Sequence, residues 1–195
     1  MPTTFTNQAT LSYNNQSIPS NVVTGVLTEV LSVSKTAIPA AYQNGDTITY
    51  AVQLVNSGTA ALTGLTLTDN LGAYTPAAGT AAVVPMTYQS DTLRYYRNGI
   101  LQATPTIAAT SPLTVTGLSI PAGGNTTLMY AVKTNQFTPY GAEESVTNTA
   151  TVTGGGLAAP LTAEATVNAD PAPDLSVIKS CLLYTSDAAD DSLRV

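Results

Sequence analysis

The chain has 195 residues, of which 44 % are hydrophobic and 9 % charged, and it carries a net charge of −6. That suffices for a core and lacks the signature of disorder; six Lys and Arg in all cannot cover phosphates, so nucleic acid is not an expected partner. Histidine is absent and the single cysteine is Cys181, which excludes disulfides, Ser–His–Asp and Cys–His nucleophiles and the usual zinc ligands.

The opening, MPTTFTNQATLSYN, has neither the basic nor the apolar region of a signal peptide. Residues 5–28 read as a two-stranded hairpin, marginal alone. Its expected partners are itself, an edge of the following domain, or another copy of the chain by strand addition. From there apolar residues recur with period two, and a 3.6-residue period is hard to find. In DTITYAVQLVN, Ile48, Tyr50, Val52 and Leu54 share one face; GLTLTDNLG offers Leu65 and Leu67. YYRNGILQ holds Asn98-Gly99 between strand-like flanks, a strong hairpin signal. PLTVTGLSI offers Leu113 and Val115, NTTLMYAVKTN offers Leu128, Tyr130 and Val132, and SVTNTATVTG offers Val146, Ala150 and Val152. QNGD at 43–46, NSGT at 56–59, PAGGN at 121–125 and GGG at 154–156 supply the turns. The expected fold is all-β, a sandwich. No apolar run approaches the roughly 18 residues of a membrane helix, so no membrane insertion is expected.

The chain repeats itself. FTNQATLSYNNQS near the start is echoed by VTNTATVTGGGLA, with Asn7, Ala9 and Thr10 over Asn148, Ala150 and Thr151, and VLSVSKT is echoed by DLSVIKS, with Lys35 over Lys179. On that pattern residues 1–28 are the last two strands of a preceding repeat and 29–170 a complete one. Residues 171–180 continue the Pro-rich linker and contain the first strand of a third copy.

The ordered series L-S-V-x-K-T, N-G-D-T-I-T-Y, V-N-S-G-T, L-T-D-N-L-G and V-T-N-T-A-T-V resembles the conserved-repeat domain of bacterial surface proteins, a DUF11-like domain. The resemblance covers 29–180 and, through the half-repeat, most of 1–28. It implies an immunoglobulin-like β-sandwich strung in tandem on cell-surface or secreted proteins, serving as stalk, spacer or adhesive scaffold, with neighbouring repeats as partners. Residues 181–195 break the pattern: CLLYTSDAAD resembles a translated sequencing-library transposase adapter, so this tail is expected to be non-native.

No enzymatic activity and no cofactor are expected. The native acids are scattered, so no metal site is expected; Asp170 and Asp174 beside the linker read as solvated acids rather than calcium ligands. Arg94, Tyr95, Tyr96 and Arg97 on the 84–110 hairpin region form a candidate aromatic, cationic surface for a host or matrix glycan or protein, although alternation places one tyrosine in the core. The sharper candidate is a triad. Parity puts Lys35 with Leu31 and Val33, Asp69 with Leu65 and Leu67, and Asn148 with Val146 and Ala150, so all three point to the apolar side. This resembles the Lys–Asp–Asn arrangement of Gram-positive pilin and adhesin domains that form an intramolecular isopeptide bond. The resemblance implies that a neutral Lys35 amine attacks Asn148 while a protonated Asp69 polarises the carboxamide, expelling ammonia. The plainer alternative has Lys35 snorkelling to water, Asp69-Asn70 forming an Asx turn and Asn148 bonding to backbone.

Overall fold

The structure, a computed structural model, describes residues 3–27, 30–77, 79–141 and 143–170. The expected first strand of a third copy, with Lys179, and the adapter-like tail, with Cys181, lie outside the described residues. Every regular element described is a strand. In chain order they are β1 (Thr3–Asn7), β2 (Thr10–Tyr13), β3 (Gln16–Pro19), β4 (Val23–Leu27), β5 (Leu31–Ile38), β6 (Ala41–Tyr42), β7 (Thr47–Asn56) and β8 (Leu62–Asp69). There follow β9 (Met86–Tyr88), β10 (Arg94–Arg97), β11 (Ile100–Leu101), β12 (Thr106–Thr110), β13 (Leu113–Ile120), β14 (Asn125–Thr134), β15 (Ser145–Gly154) and β16 (Leu161–Ala169).

Two six-stranded sheets make the sandwich. The first runs β11-β10-β14-β7-β5, with β9 also on β14; the second runs β12-β13-β8-β15-β16-β6. All pairings are antiparallel except β16 with β6. Such sheets bury one face, which is why strict alternation in the sequence becomes strict alternation in burial. In β7, Ile48, Tyr50, Val52 and Leu54 are buried; on the adjacent β14, Leu128, Tyr130 and Val132 lie beside them on the same face of the sheet. Leu65, Leu67, Leu113, Val115, Val146, Ala150 and Val152 close the core from the other sheet. With no tryptophan in the chain, tyrosine supplies the bulk: Tyr42, Tyr50 and Tyr130 are fully buried.

In β13, alternation after Val115 would send Gly117 and Ser119 inward, yet Leu118 and Ile120 are the buried residues. The register against β8 shifts between Val115 and Leu118. A β-bulge there inserts one residue and reverses the parity of everything after it. The hairpin expected at Asn98-Gly99 is present, with both residues at positive φ (48° and 77°) joining β10 to β11, as a type I′ turn requires.

Residues 3–27 form a separate long hairpin. β1 pairs with β4 and β2 with β3, and neither pair has a ladder partner in the sandwich. Its side chains from Phe5 to Thr24 are all exposed.

Candidate functional site

Lys35 stands in the middle of β5, opposite Val52 of β7. Its residue is 7 % exposed and its side chain is fully enclosed. It does not snorkel. Its ammonium crosses to the other sheet and meets Asp69, the last residue of β8, forming the single ion pair seen among the described residues. The Nζ also lies 4.6 Å from the centre of the Tyr50 ring, a favourable place for a cation. Burial pulls the Lys35 pKa down to about 8, with Asp69 working in the opposite direction.

Three donors converge on the Asp69 carboxylate. Lys35 Nζ and the Tyr130 hydroxyl both donate to Oδ2, and the Leu71 backbone N–H donates to Oδ1 at 2.9 Å. Tyr130 lies across the β7–β14 ladder from Tyr50, with ring centres 6.0 Å apart. Burial and the Asp69 charge push both phenols above their usual range, so both remain hydroxyls at ordinary pH.

The third residue, Asn148, lies two places from Ala150, the residue that pairs with Asp69 across β15 and β8. It is fully buried. Its Oδ1 accepts a hydrogen bond from the Gly72 backbone N–H at 3.3 Å. Its Nδ2 has no hydrogen-bond partner; the amide lies close enough to the Tyr50 hydroxyl to favour that group's ionised form, without the geometry of a bond. Another buried asparagine makes the contrast plain. Asn56 Nδ2 donates to Ala60 O and Pro121 O at 2.8 and 3.0 Å, and its Oδ1 accepts from Gly58 N at 2.9 Å. A buried amide left half-satisfied forfeits free energy of order 1–3 kcal/mol, so Asn148 is the one that calls for a reason other than stability.

The turn after β8 completes the site. Asp69-Asn70 do make Asx turns: Asn70 Oδ1 accepts from Gly72 N at 2.9 Å as Asp69 Oδ1 does from Leu71 N. Asn70 also grips β15, its N–H donating to Thr149 O at 3.0 Å and its Oδ1 accepting from Thr149 N at 2.9 Å. Leu71 and Gly72 take positive φ (54° and 72°), and a Cβ at Gly72 would come within 2.4 Å of Val146 Cγ1. Sequence reasoning placed Tyr50 and Tyr130 in the core by parity but gave them no role. The signal was available, because a buried phenol needs a partner for its hydroxyl. Gly72 and Leu71 carried no such signal.

The candidate binding surface is dispersed. Tyr95 is buried, its hydroxyl donating to Ser119 O and accepting from Ser119 N, both at 3.0 Å. Arg94 is exposed and turns back onto Asp91 O and Leu93 O; Tyr96 and Arg97 are half-buried, with Arg97 Nε bound to Gln102 Oε1 at 3.2 Å. Among the described residues no group of His, Cys, Asp or Glu is arranged to hold a metal ion. Asp174, expected as a solvated linker acid, lies outside them.

The sheet order and packing are those of an immunoglobulin-like β-sandwich, and its likenesses among solved structures include bacterial pilins and an adhesin. A variant of the major pilin subunit of Bacillus cereus matches with TM-score 0.52 and 11 % identity over 86 % of this chain and 48 % of that one. The full-length major pilin RrgB of Streptococcus pneumoniae matches with TM-score 0.51 and 10 % identity over 67 % of this chain and 24 % of its own. The N-terminal domain of an adhesin of Streptococcus gordonii gives TM-score 0.50 and 14 % identity over 79 % and 35 %. The chain thus spans less than half the length of each, and at such identities the likeness is one of fold. No family model and no curated protein matches the chain.

Proposed function

We propose that the chain is a structural module of a bacterial cell-surface or secreted protein, a stalk or spacer repeat, tied internally by an isopeptide bond between Lys35 and Asn148. The observation that carries the reading is a buried lysine paired with an acid across the two sheets, together with a buried carboxamide whose nitrogen has no hydrogen-bond partner and whose oxygen is held by the turn that follows that acid. A buried ion pair alone is weak evidence for stability. An enclosed amine with a lowered pKa and an unpartnered amide in the same core are the two reactants such a bond needs.

The chemistry balances within the chain. The proton in the Lys35–Asp69 hydrogen bond passes from Nζ to Oδ2, leaving a neutral amine and a carboxylic acid. The Nζ lone pair adds to Asn148 Cγ, and the carbonyl electron pair moves onto Oδ1. When the carbonyl re-forms, the Cγ–Nδ2 bond breaks, and the departing nitrogen takes a second Nζ proton and leaves as ammonia. Asp69 keeps the first proton. The reaction occurs once per molecule, so the protein is not an enzyme with turnover.

The mechanical consequence follows from the topology. Lys35 is on β5, the first strand of the sandwich, and Asn148 is on β15, the last but one. Tension applied along the chain would pass through the covalent tie and bypass the ladders between residues 36 and 147. Tandem repetition fits the same role, with 1–28 as the closing hairpin of a preceding repeat and neighbouring repeats as partners. The support is that the echoed segment opens an antiparallel hairpin in both places: Phe5 pairs with Gly25, Asn7 with Val23 and Leu11 with Ile18, and Val146 pairs with Val167, Asn148 with Ala165 and Val152 with Leu161.

The test is the intact mass of the folded protein beside a Lys35→Ala control. A deficit of one ammonia in the wild type alone supports the bond; the full calculated mass in a folded wild type sinks it. A second reading, an adhesin module using the 84–110 region, is favoured by the exposed Ile100 and Leu101 on the edge strand β11. Silence across a broad glycan array would favour the stalk.

A further inference from the structure

The bond-forming site contains a feature that the Lys–Asp–Asn triad does not account for. When an amine adds to a carboxamide, negative charge develops on the amide oxygen, here Asn148 Oδ1. That oxygen has one donor, the Gly72 backbone N–H. We propose that Gly72 is the oxyanion donor of the site, and that the turn from Asp69 to Gly72 is built to aim its N–H at Asn148 while the preceding N–H, of Leu71, holds the acid. This inference rests on the isopeptide reading.

Two successive backbone N–H groups serve two different reacting residues. Leu71 N–H donates to Asp69 Oδ1 at 2.9 Å and Gly72 N–H to Asn148 Oδ1 at 3.3 Å. Their directions come from backbone that a sequence rarely adopts: φ is 54° at Leu71 and 72° at Gly72. A non-glycine residue in that region costs roughly 1–2 kcal/mol, and Leu71 is held there by a fully buried side chain. At Gly72 a side chain is barred twice, by φ and by Val146 Cγ1 and Met86 Cε, at 2.4 and 2.8 Å from where a Cβ would stand. Strain at a reacting centre, over-determined by its surroundings, is a recognised mark of function.

The 3.3 Å length is that of a ground-state contact. Gly72 N–H is shared, lying 2.9 Å from Asn70 Oδ1. As Oδ1 gains charge and Cγ becomes tetrahedral, the shared hydrogen swings towards the stronger acceptor. A donor of this kind stabilises the transition state more than the ground state, as catalysis requires.

The test removes the N–H and nothing else. Glycolic acid is incorporated in place of Gly72 during cell-free synthesis of the full chain, giving an ester there without adding a Cβ, and ammonia loss is followed by intact mass over time. Asn70→Ala is run beside it, since it keeps the Gly72 N–H and removes the competing acceptor. The expected result is a slowing of about 10²–10³-fold in the ester, with Asn70→Ala, which loosens the turn but keeps the donor, slowed clearly less and both variants folded by circular dichroism. Equal rates in ester and wild type would overturn the oxyanion role and leave the bond standing. Equal slowing in the ester and Asn70→Ala would also overturn it, reducing the turn to a clamp on β15. A wild type that keeps its full mass would overturn the bond and this role together.

Discussion

Two hairpins of this chain open on matching alternating strands and differ in what becomes of the apolar face. In β15–β16, Val146, Asn148, Ala150 and Val152 point into a core against β8 and are buried. In the N-terminal hairpin, Phe5, Asn7, Ala9 and Leu11 occupy the matching places and are exposed, Leu11 at 70 %. The Phe5 ring covers Gly25 across the ladder, a local substitute for the missing sheet. An alternating pattern therefore specifies which face of a strand is apolar, and a second layer must be present before that face becomes a core. The same holds for chemistry: Asn148 is a candidate reactant because it is buried, its oxygen held by the turn that also holds Asp69, and Asn7, in a similar stretch of sequence, is a solvated amide.

The sharpest way to break the comparison is through the buried charge. Asp69→Ala leaves Lys35 enclosed without its partner and is expected to cost about 3–5 kcal/mol in denaturant unfolding, whereas Asn7→Ala should stay within about 0.5 kcal/mol. Comparable losses at the two sites would mean that the hairpin is packed.

Titration of Lys35 gives a further difference. Its folded pKa is about 8 against an ordinary 10.5, so between those values the unfolded chain binds the extra proton and stability rises with pH, by up to about 1.4 kcal/mol per pH unit. Above the ordinary tyrosine range the sign reverses. Tyr130 and Tyr50 are raised in the fold, the unfolded chain loses their protons first, and stability falls. Protein already crosslinked has no Lys35 amine and should lack the rising limb, so unfolding midpoints from pH 7 to 10 distinguish the two forms.

Packing gives a smaller contrast. Val152→Ala removes two core methyl groups and should cost about 2 kcal/mol, while Leu11→Ala at the matching place should leave the midpoint unchanged within about 0.5 kcal/mol. The smallest effect is at the surface. Leu11→Ser with Ile18→Ser should lower binding of an apolar dye and leave thermal unfolding where it was; a shift of the transition would show that the hairpin packs on the sandwich.

Much of the fold was legible in the chain. Alternation in DTITYAVQLVN and NTTLMYAVKTN marked two central strands and their inward faces, and Asn98-Gly99 marked its turn, because both signals are local. The inward parity of Lys35, Asp69 and Asn148 was equally readable. The β13 bulge was not, since one inserted residue is set by pairing with β8. The candidate surface at 94–97 fared differently: parity foresaw one tyrosine going inward, but the engagement of Arg97 with Gln102 depends on how β11 folds back on β10.

What the sequence by itself determined is the period, the turns and the identity of the polar residues that fall on apolar faces, all properties of neighbours along the chain. Only the tertiary structure decided that the side chain of Lys35 on β5 reaches across to Asp69 on β8 of the other sheet, that Tyr130 donates to the same carboxylate, and that a Leu71-Gly72 turn at positive φ aims its N–H groups at Asp69 and Asn148. The physical reason is that a buried charge is tolerated only where partners from distant strands converge, and that convergence comes from the stacking of two sheets.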